Sequence, residues 1–252
     1  MGNIVDMDFV TLADAIATWM RDYAARAGTE GYVVGLSGGV DSAVTAALAA
    51  RAVGAEHVLA VWLPCHSLPE DEAYARMTAQ ALGLDLITVD LCDVYDAFMA
   101  SVPEGTDMAR ANVKPRLRMT TCYYLAQSHN YLVAGTGNRP EMLVGYFTKY
   151  GDGGVDIEPL GELYKHEVRA LARILDVPEA VIARAPSAGL WPGQTDEGEL
   201  GITYAELDAI LAAMAEDRAP DAPEAVVARV RRMVAASAHK RAVPPAFHVE
   251  RT

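Results

Sequence analysis

The stretch Tyr32-Val33-Val34-Gly35-Leu36-Ser37-Gly38-Gly39-Val40-Asp41-Ser42 constrains the fold more than any other part of the chain. It reads as a short buried strand, a glycine turn and the first turn of a helix continuing through Ala43–Leu48. Adjacent glycines permit backbone conformations closed to other residues and let a ligand approach the main chain. The amides of Gly38, Gly39 and Val40 can then converge on an anion at the helix N-terminus. Ser37 and Ser42 add hydroxyl donors, and Asp41 places a carboxylate where a phosphate-bound Mg²⁺ would sit. The chain has no GxxxxGK[ST], so this is not the Walker loop of phosphoryl-transfer enzymes.

Apolar periodicity predicts what surrounds this loop. Residues 8–27 form a helix with Phe9, Leu12, Ile16, Trp19 and Tyr23 on one stripe. Strand 32–36 and helix 40–52 follow, then strand 57–63 stopped by Pro64, helix 69–82 and strand 84–89. Helices are expected at 93–101 and 106–129, with Pro115 marking a kink or joint in the second. Strand 131–135 ends in a Gly-rich turn, and helices follow near 163–175, 177–184, 203–216 and 222–238. Strands alternating with helices imply an α/β fold, a doubly wound parallel sheet with helices on both faces. Ligands in such sheets collect at the carboxyl ends of the strands. The loops Ser37–Ser42, Cys65–Leu68 and Thr136–Glu141 should therefore meet in one crevice.

Bulk properties narrow the class. A chain of 252 residues suits one α/β domain spanning 1–252. The formal charge of −13 argues against a nucleic-acid surface and against anionic membranes. A focused nest still admits an anionic nucleotide. Cys65, Cys92 and Cys122 are odd in number and widely spaced, which fits reduced thiols rather than disulfides or a zinc site. The first residues lack the basic and apolar regions of a signal peptide, and no uncharged apolar run is long enough to span a membrane. A cytoplasmic protein is expected.

Three later clusters hold residues that a core does not require. Asn112-Val113-Lys114-Pro115-Arg116-Leu117-Arg118-Met119 concentrates cations that could equally be a solvated helix face. Residues 135–156 carry GTGNRPE and GYFTKYGDGGVD, otherwise readable as hairpin-like turns. The third comprises Pro186-Ser187-Ala188-Gly189-Leu190, then GQTDEGELGITY, and Ala238-His239-Lys240-Arg241.

The SGGxDS pattern resembles the pyrophosphate loop of the ATP pyrophosphatases. Alone it leaves GMP synthetase, argininosuccinate synthetase and tRNA-modifying enzymes open. Together with NVKPRLRM, GTGN, GYFTKYGDGGVD, PSAGL, GQTDEGELGITY and HKR, in that order from Gly35 to Arg241, it resembles the ammonia-dependent NAD synthetases. The resemblance implies a Rossmann-like, adenine nucleotide alpha hydrolase-like fold. It implies a ligase that adenylates deamido-NAD with ATP, releases pyrophosphate, and lets ammonia displace AMP.

Residue roles follow from the same resemblance. Gly35, Leu36, Ser37, Gly38, Gly39, Val40, Asp41 and Ser42 would bind ATP, as would Thr136, Lys165 and Ser187. Asp41 and Glu141 would hold Mg²⁺, a cation that takes hard oxygen donors. Arg116, Lys149, Asp156, His239 and Lys240 would bind deamido-NAD, and Asp152 would hold ammonium or take its proton. On that reading Asp152, Lys165 and Asp41 are the catalytic set, although Asp152 could be only a turn residue between glycines.

Family members work as homodimers with substrate across the subunit interface, which makes the helices around 106–129 candidate interface elements. Length leaves no room for a glutaminase domain, so free ammonia or a separate glutaminase would supply nitrogen. Trp19, Trp62 and the methionines are expected in the core, and Trp191 either covers the site or anchors a helix. His66 faces the predicted crevice without an assigned role, and Cys65 is a passive small residue. Two rival classes remain: another SGGxDS ligase or thiolase, and a nucleotide-binding module without turnover.

Overall fold

A computed structural model describes residues 8–187, 189–191 and 193–249. The amino-terminal residues 1–7 and Ala188 of the PSAGL motif therefore lie outside the described residues. Strands β1 (Gly31–Gly35), β2 (Val58–Trp62), β3 (Leu86–Thr88) and β4 (Tyr131–Val133) form a parallel sheet in the order β3-β2-β1-β4. Helices α1 (Phe9–Ala27), α2 (Val40–Val53), α3 (Pro69–Leu82), α4 (Cys92–Ser101), α5 (Asp107–Ala111) and α6 (Val113–His129) precede β4. After it come α7 (Arg139–Val144), α8 (Lys165–Ile174), α9 (Glu179–Ile182), α10 (Asp196–Leu200), α11 (Tyr204–Ala215) and α12 (Glu224–Ala236).

The period-2 alternation of the strands sorts the core into two layers. Tyr32 and Val34 of β1 and Ala60 and Trp62 of β2 pack with α1, α2 and α8. Val33, Val61 and Val133 point the other way, onto Cys122 and Ala126 of α6. A third apolar cluster joins α7 to α11 and α12 through Val144, Leu207, Leu211 and Val230. Strand order runs outward from β1 to β3 and then returns to β4 beside β1. That reversal is a topological switch point, and it lies between the loops that follow β1 and β4.

Three expectations need correction. Trp19 is 41% exposed, its ring tilted against Tyr23, and Met77 and Met108 are also exposed. The buried stripe of α1 is Ala13, Ala17, Met20 and Ala24, one position along from the bulky stripe. Small residues there let α1 approach α2 closely, while Phe9, Leu12, Ile16 and Tyr23 seal the flank. The helix expected over 106–129 divides at Asn112, whose amide oxygen accepts from the Thr148 hydroxyl at 2.7 Å. Pro115 lies in the first turn of α6, where a missing N–H costs no helical bond, so it makes no kink. The alternative reading of 135–156 as hairpin-like turns is not what the fold shows: the segment contains α7, and Ile157 just beyond it extends the sheet by a parallel bridge to Ala134.

Candidate active site

A cleft of about 550 Å³ opens at the switch point, lined by all three loops expected to converge. The loop after β1 is held by its own serines. Ser37 N–H donates to Ser42 Oγ at 3.2 Å, Gly39 N–H donates to Ser37 Oγ at 3.3 Å, and Ser42 Oγ donates to the Gly39 carbonyl at 3.0 Å. Gly38 adopts φ +81°, and a Cβ there would stand 2.6 Å from the Asp71 carbonyl oxygen, so only glycine fits. Arg184 fastens the loop from outside: its Nη1 donates to the Gly38 carbonyl at 3.2 Å and its Nη2 pairs with Asp71.

Facing this loop is a buried charge cluster. Lys165, the first residue of α8 and 2% exposed, donates to Asp41 Oδ2 at 2.6 Å and Glu141 Oε1 at 3.3 Å. Asn138 caps α7 by accepting from Glu141 N–H while Glu141 Oε2 accepts from Asn138 N–H, a capping box. The same Asn138 donates from Nδ2 to Asp41 Oδ1 at 3.0 Å, so one side chain aims both carboxylates. Tyr204 donates to Glu141 Oε1 at 2.8 Å and lies 3.0 Å from Asp196 Oδ2. Burial pushes the Glu141 carboxyl up to about 7, against the pull of Lys165. Burial alone would lower Lys165, but Asp41 and Glu141 outweigh it and hold the ammonium above its ordinary value.

Among the expected ATP residues, Gly35, Leu36, Ser37, Gly39, Val40, Asp41, Ser42, Thr136, Lys165 and Ser187 line the cleft; Gly38 supports it from behind. Ser187 Oγ donates to the Gln194 carbonyl at 2.8 Å, closing the loop that carries it. Asp152 lines the cleft and is exposed to water, and desolvation by its surroundings raises its carboxyl above the usual range. Its Oδ1 accepts from Thr148 N–H at 2.9 Å.

The expected dinucleotide residues divide. Lys240 lines the cleft and donates to the carbonyls of Gly145 and Phe147 at 2.7 and 2.8 Å. Arg116, Lys149 and His239 form a chain outside it, Arg116 donating to the Lys149 carbonyl at 3.3 Å and Lys149 to the His239 carbonyl at 2.7 Å. Asp156 is turned inward, accepting from Val133 N–H at 2.8 Å and the Tyr123 hydroxyl at 3.1 Å.

Sequence reasoning missed Asn138, Asp196, Tyr204 and Arg184. The NxxE spacing of Asn138 and Glu141 was the legible signal for the first. The other three reach the site only through tertiary contacts. His66 pairs with Asp96 at 2.8 Å and lines, with Trp191, a side pocket of about 230 Å³ next to the Arg184–Asp71 pair. Cys65 is fully buried and burial raises its thiol, consistent with a passive role.

Comparison with known proteins agrees with this architecture. The NH(3)-dependent NAD(+) synthetase of Carboxydothermus hydrogenoformans is 49% identical over 236 residues, 92% of this chain and 94% of that one. The structure of NMN synthetase from Francisella tularensis superposes with TM-score 0.87 at 36% identity, covering 96% of this chain and all of that one. The NH3-dependent NAD synthetase of Campylobacter jejuni superposes with TM-score 0.82 at 27% identity over the same shares. The family model for NAD synthase matches residues 12–244, and the chain belongs to that family.

Proposed function

We propose that this protein joins ammonia to the nicotinate carboxylate of deamido-NAD, using ATP and releasing AMP, pyrophosphate and NAD. One observation carries the reading: a single cleft holds the Ser37–Ser42 nest, the Asp41–Glu141 carboxylate pair and Asp152. A carboxylate does not condense with ammonia in water without activation. Adenylation supplies it, and a nest without a Walker lysine suits holding the β,γ-phosphates as a departing group.

Ser37, Gly39, Val40 and Ser42 would bind and orient that pyrophosphate, with Thr136 and Ser187 on the rest of the nucleotide. The donor set fits Mg²⁺, because two aimed carboxylates beside a phosphate loop match a cation that completes its shell with phosphate and water. Asp41 and Glu141 would hold it, and the ion would neutralise charge on the departing pyrophosphate. Lys165 adds fixed positive charge at the same place. Asp152 would hold ammonium and take its proton, since ammonia is mostly NH₄⁺ near pH 7. Arg116, Lys149, Asp156, His239 and Lys240 are assigned to deamido-NAD, in a homodimer whose interface the substrate crosses. Nitrogen would come as free ammonia or from a separate glutaminase.

The test is turnover by the purified protein with ATP, Mg²⁺, ammonium and either deamido-NAD or nicotinate mononucleotide. The mononucleotide is included because the Francisella neighbour is an NMN synthetase. NAD, AMP and pyrophosphate are expected in equal amounts from the dinucleotide. ADP with orthophosphate, or turnover of the mononucleotide alone, would overturn the reading.

A further inference from the structure

Most cations that line the cleft already have partners. Lys165 is held between two carboxylates, Arg184 is paired with Asp71, and Lys240 bonds two carbonyls. Arg118 differs. It comes from α6, lines the same cleft as the Ser37–Ser42 loop, and reaches the end of β2. There Nε donates to the Leu63 carbonyl at 3.0 Å and Nη2 to Ser67 Oγ at 3.2 Å. Those two bonds engage two of the five N–H groups of a guanidinium, and Nη1 donates to nothing among the described residues. No carboxylate there lies within ion-pair distance of it.

A half-buried guanidinium without a counter-ion favours an anion beside it. Partial burial pulls Arg118 below its ordinary pKa, and Asp152 and Asp71 are carboxylates whose charges act on it in the opposite direction. Lys114 adds a like charge nearby, and the thiols of Cys65 and Cys122, both raised by burial, are neutral at pH 7. Arg118 thus shares one cleft with the Ser37–Ser42 loop and with Asp152. The group common to both half-reactions at that place is the phosphate of the AMP being transferred.

We propose that Arg118 is a catalytic residue that holds the non-bridging oxygens of the α-phosphate through adenylation and aminolysis. This rests on the function proposed above. In the first step a carboxylate oxygen bonds to the α-phosphorus, the bond to the bridging oxygen breaks, and pyrophosphate leaves with the electron pair. In the second, ammonia nitrogen bonds to the acyl carbon, the carbon–oxygen bond breaks, and AMP leaves with the pair while Asp152 takes the proton. Negative charge gathers on the α-phosphate oxygens in both steps, and a planar fork fixed by Leu63 and Ser67 meets it without reorganising.

The experiment measures deamido-NAD-dependent exchange of labelled pyrophosphate into ATP, and steady-state NAD formation, for the wild type, Arg118→Gln and Arg118→Lys. Exchange and kcat should each fall by about 10²–10³-fold in Arg118→Gln, the usual effect of removing one such donor, with the KM for ATP and the melting temperature little changed. Arg118→Lys should recover part of the loss, since it keeps charge but not the fork. Should Arg118→Gln fail to fold, Arg118→Lys decides, and wild-type kcat in that variant would overturn the proposal. So would a folded Arg118→Gln with normal kcat, or one whose defect disappears at saturating ATP. A wild-type protein inactive in both assays would instead sink the functional reading itself.

Discussion

Asp152 shows how one side chain gains a role from its walls. Glycines flank it in sequence, yet it lines the cleft, Thr148 N–H fixes one oxygen, and desolvation raises its carboxyl above the ordinary value. Asp152→Asn keeps the size and can keep the Thr148 bond, so pyrophosphate exchange should continue. Aminolysis should slow by about 10²–10⁴-fold, the worth of a positioned general base. The variant would depend on NH₃ already free in solution, so its rate should climb more steeply with pH. Quench-flow measurement of adenylate formation and its consumption by ammonia at two pH values tests this. Loss of adenylate formation with aminolysis spared would move Asp152 to the first half-reaction.

At the scale of elements, the turn joining β4 to α7 positions Thr136 and Glu141, and Glu158 buttresses it. Gly137 N–H donates to Glu158 Oε2 at 3.1 Å, and the same carboxylate occupies the space a Cβ on Gly135 would need. Its other oxygen is buried without a partner, and burial raises the carboxyl to about 8 from an ordinary 4.5. A raised carboxyl favours the neutral form in the fold. Its contribution to stability is therefore full below about 4.5 and is lost as pH rises through about 8. Glu158→Gln imitates the neutral acid. Its melting temperature should match the wild type near pH 4.5 and exceed it at pH 9 by roughly 3 °C or more. Parallel melting curves at both pH values would refute the assignment of that pH dependence to Glu158.

The whole molecule leaves Arg116, Lys149 and His239 on a rim outside the cleft, while α5 and α6 expose Met108 and Tyr124. A dimer through these helices would carry the rim of one subunit toward the cleft of its partner. Arg116→Ala and Asp41→Ala, each inactive alone, should then complement after subunit exchange. An equal mixture should regain about a quarter of wild-type activity, because half the dimers are mixed and each mixed dimer has one intact site. A mixture as inactive as its components would place Arg116 and Asp41 in the same subunit's site.

Local patterns in the sequence determined the strand–loop–helix at 31–53, the alternation that makes the sheet parallel, and the crevice at its carboxyl end. Those features depend on periodicity and glycine stereochemistry, which neighbouring residues specify. Helix α3 begins and ends where its signals place it, at Pro69 and before Gly83. Tertiary structure alone decided which stripe of α1 is buried, because the close approach of α2 favours Ala13 and Ala17 over the bulkier Trp19. It also decided the charge cluster. Asp41, Glu141, Lys165 and Tyr204 come from four helices, and no local pattern records that they share one ammonium and one hydroxyl. Arg118 and Arg184 make the same point: cations look alike along a chain, and only the fold gives Arg184 a carboxylate and leaves Arg118 without one among the described residues.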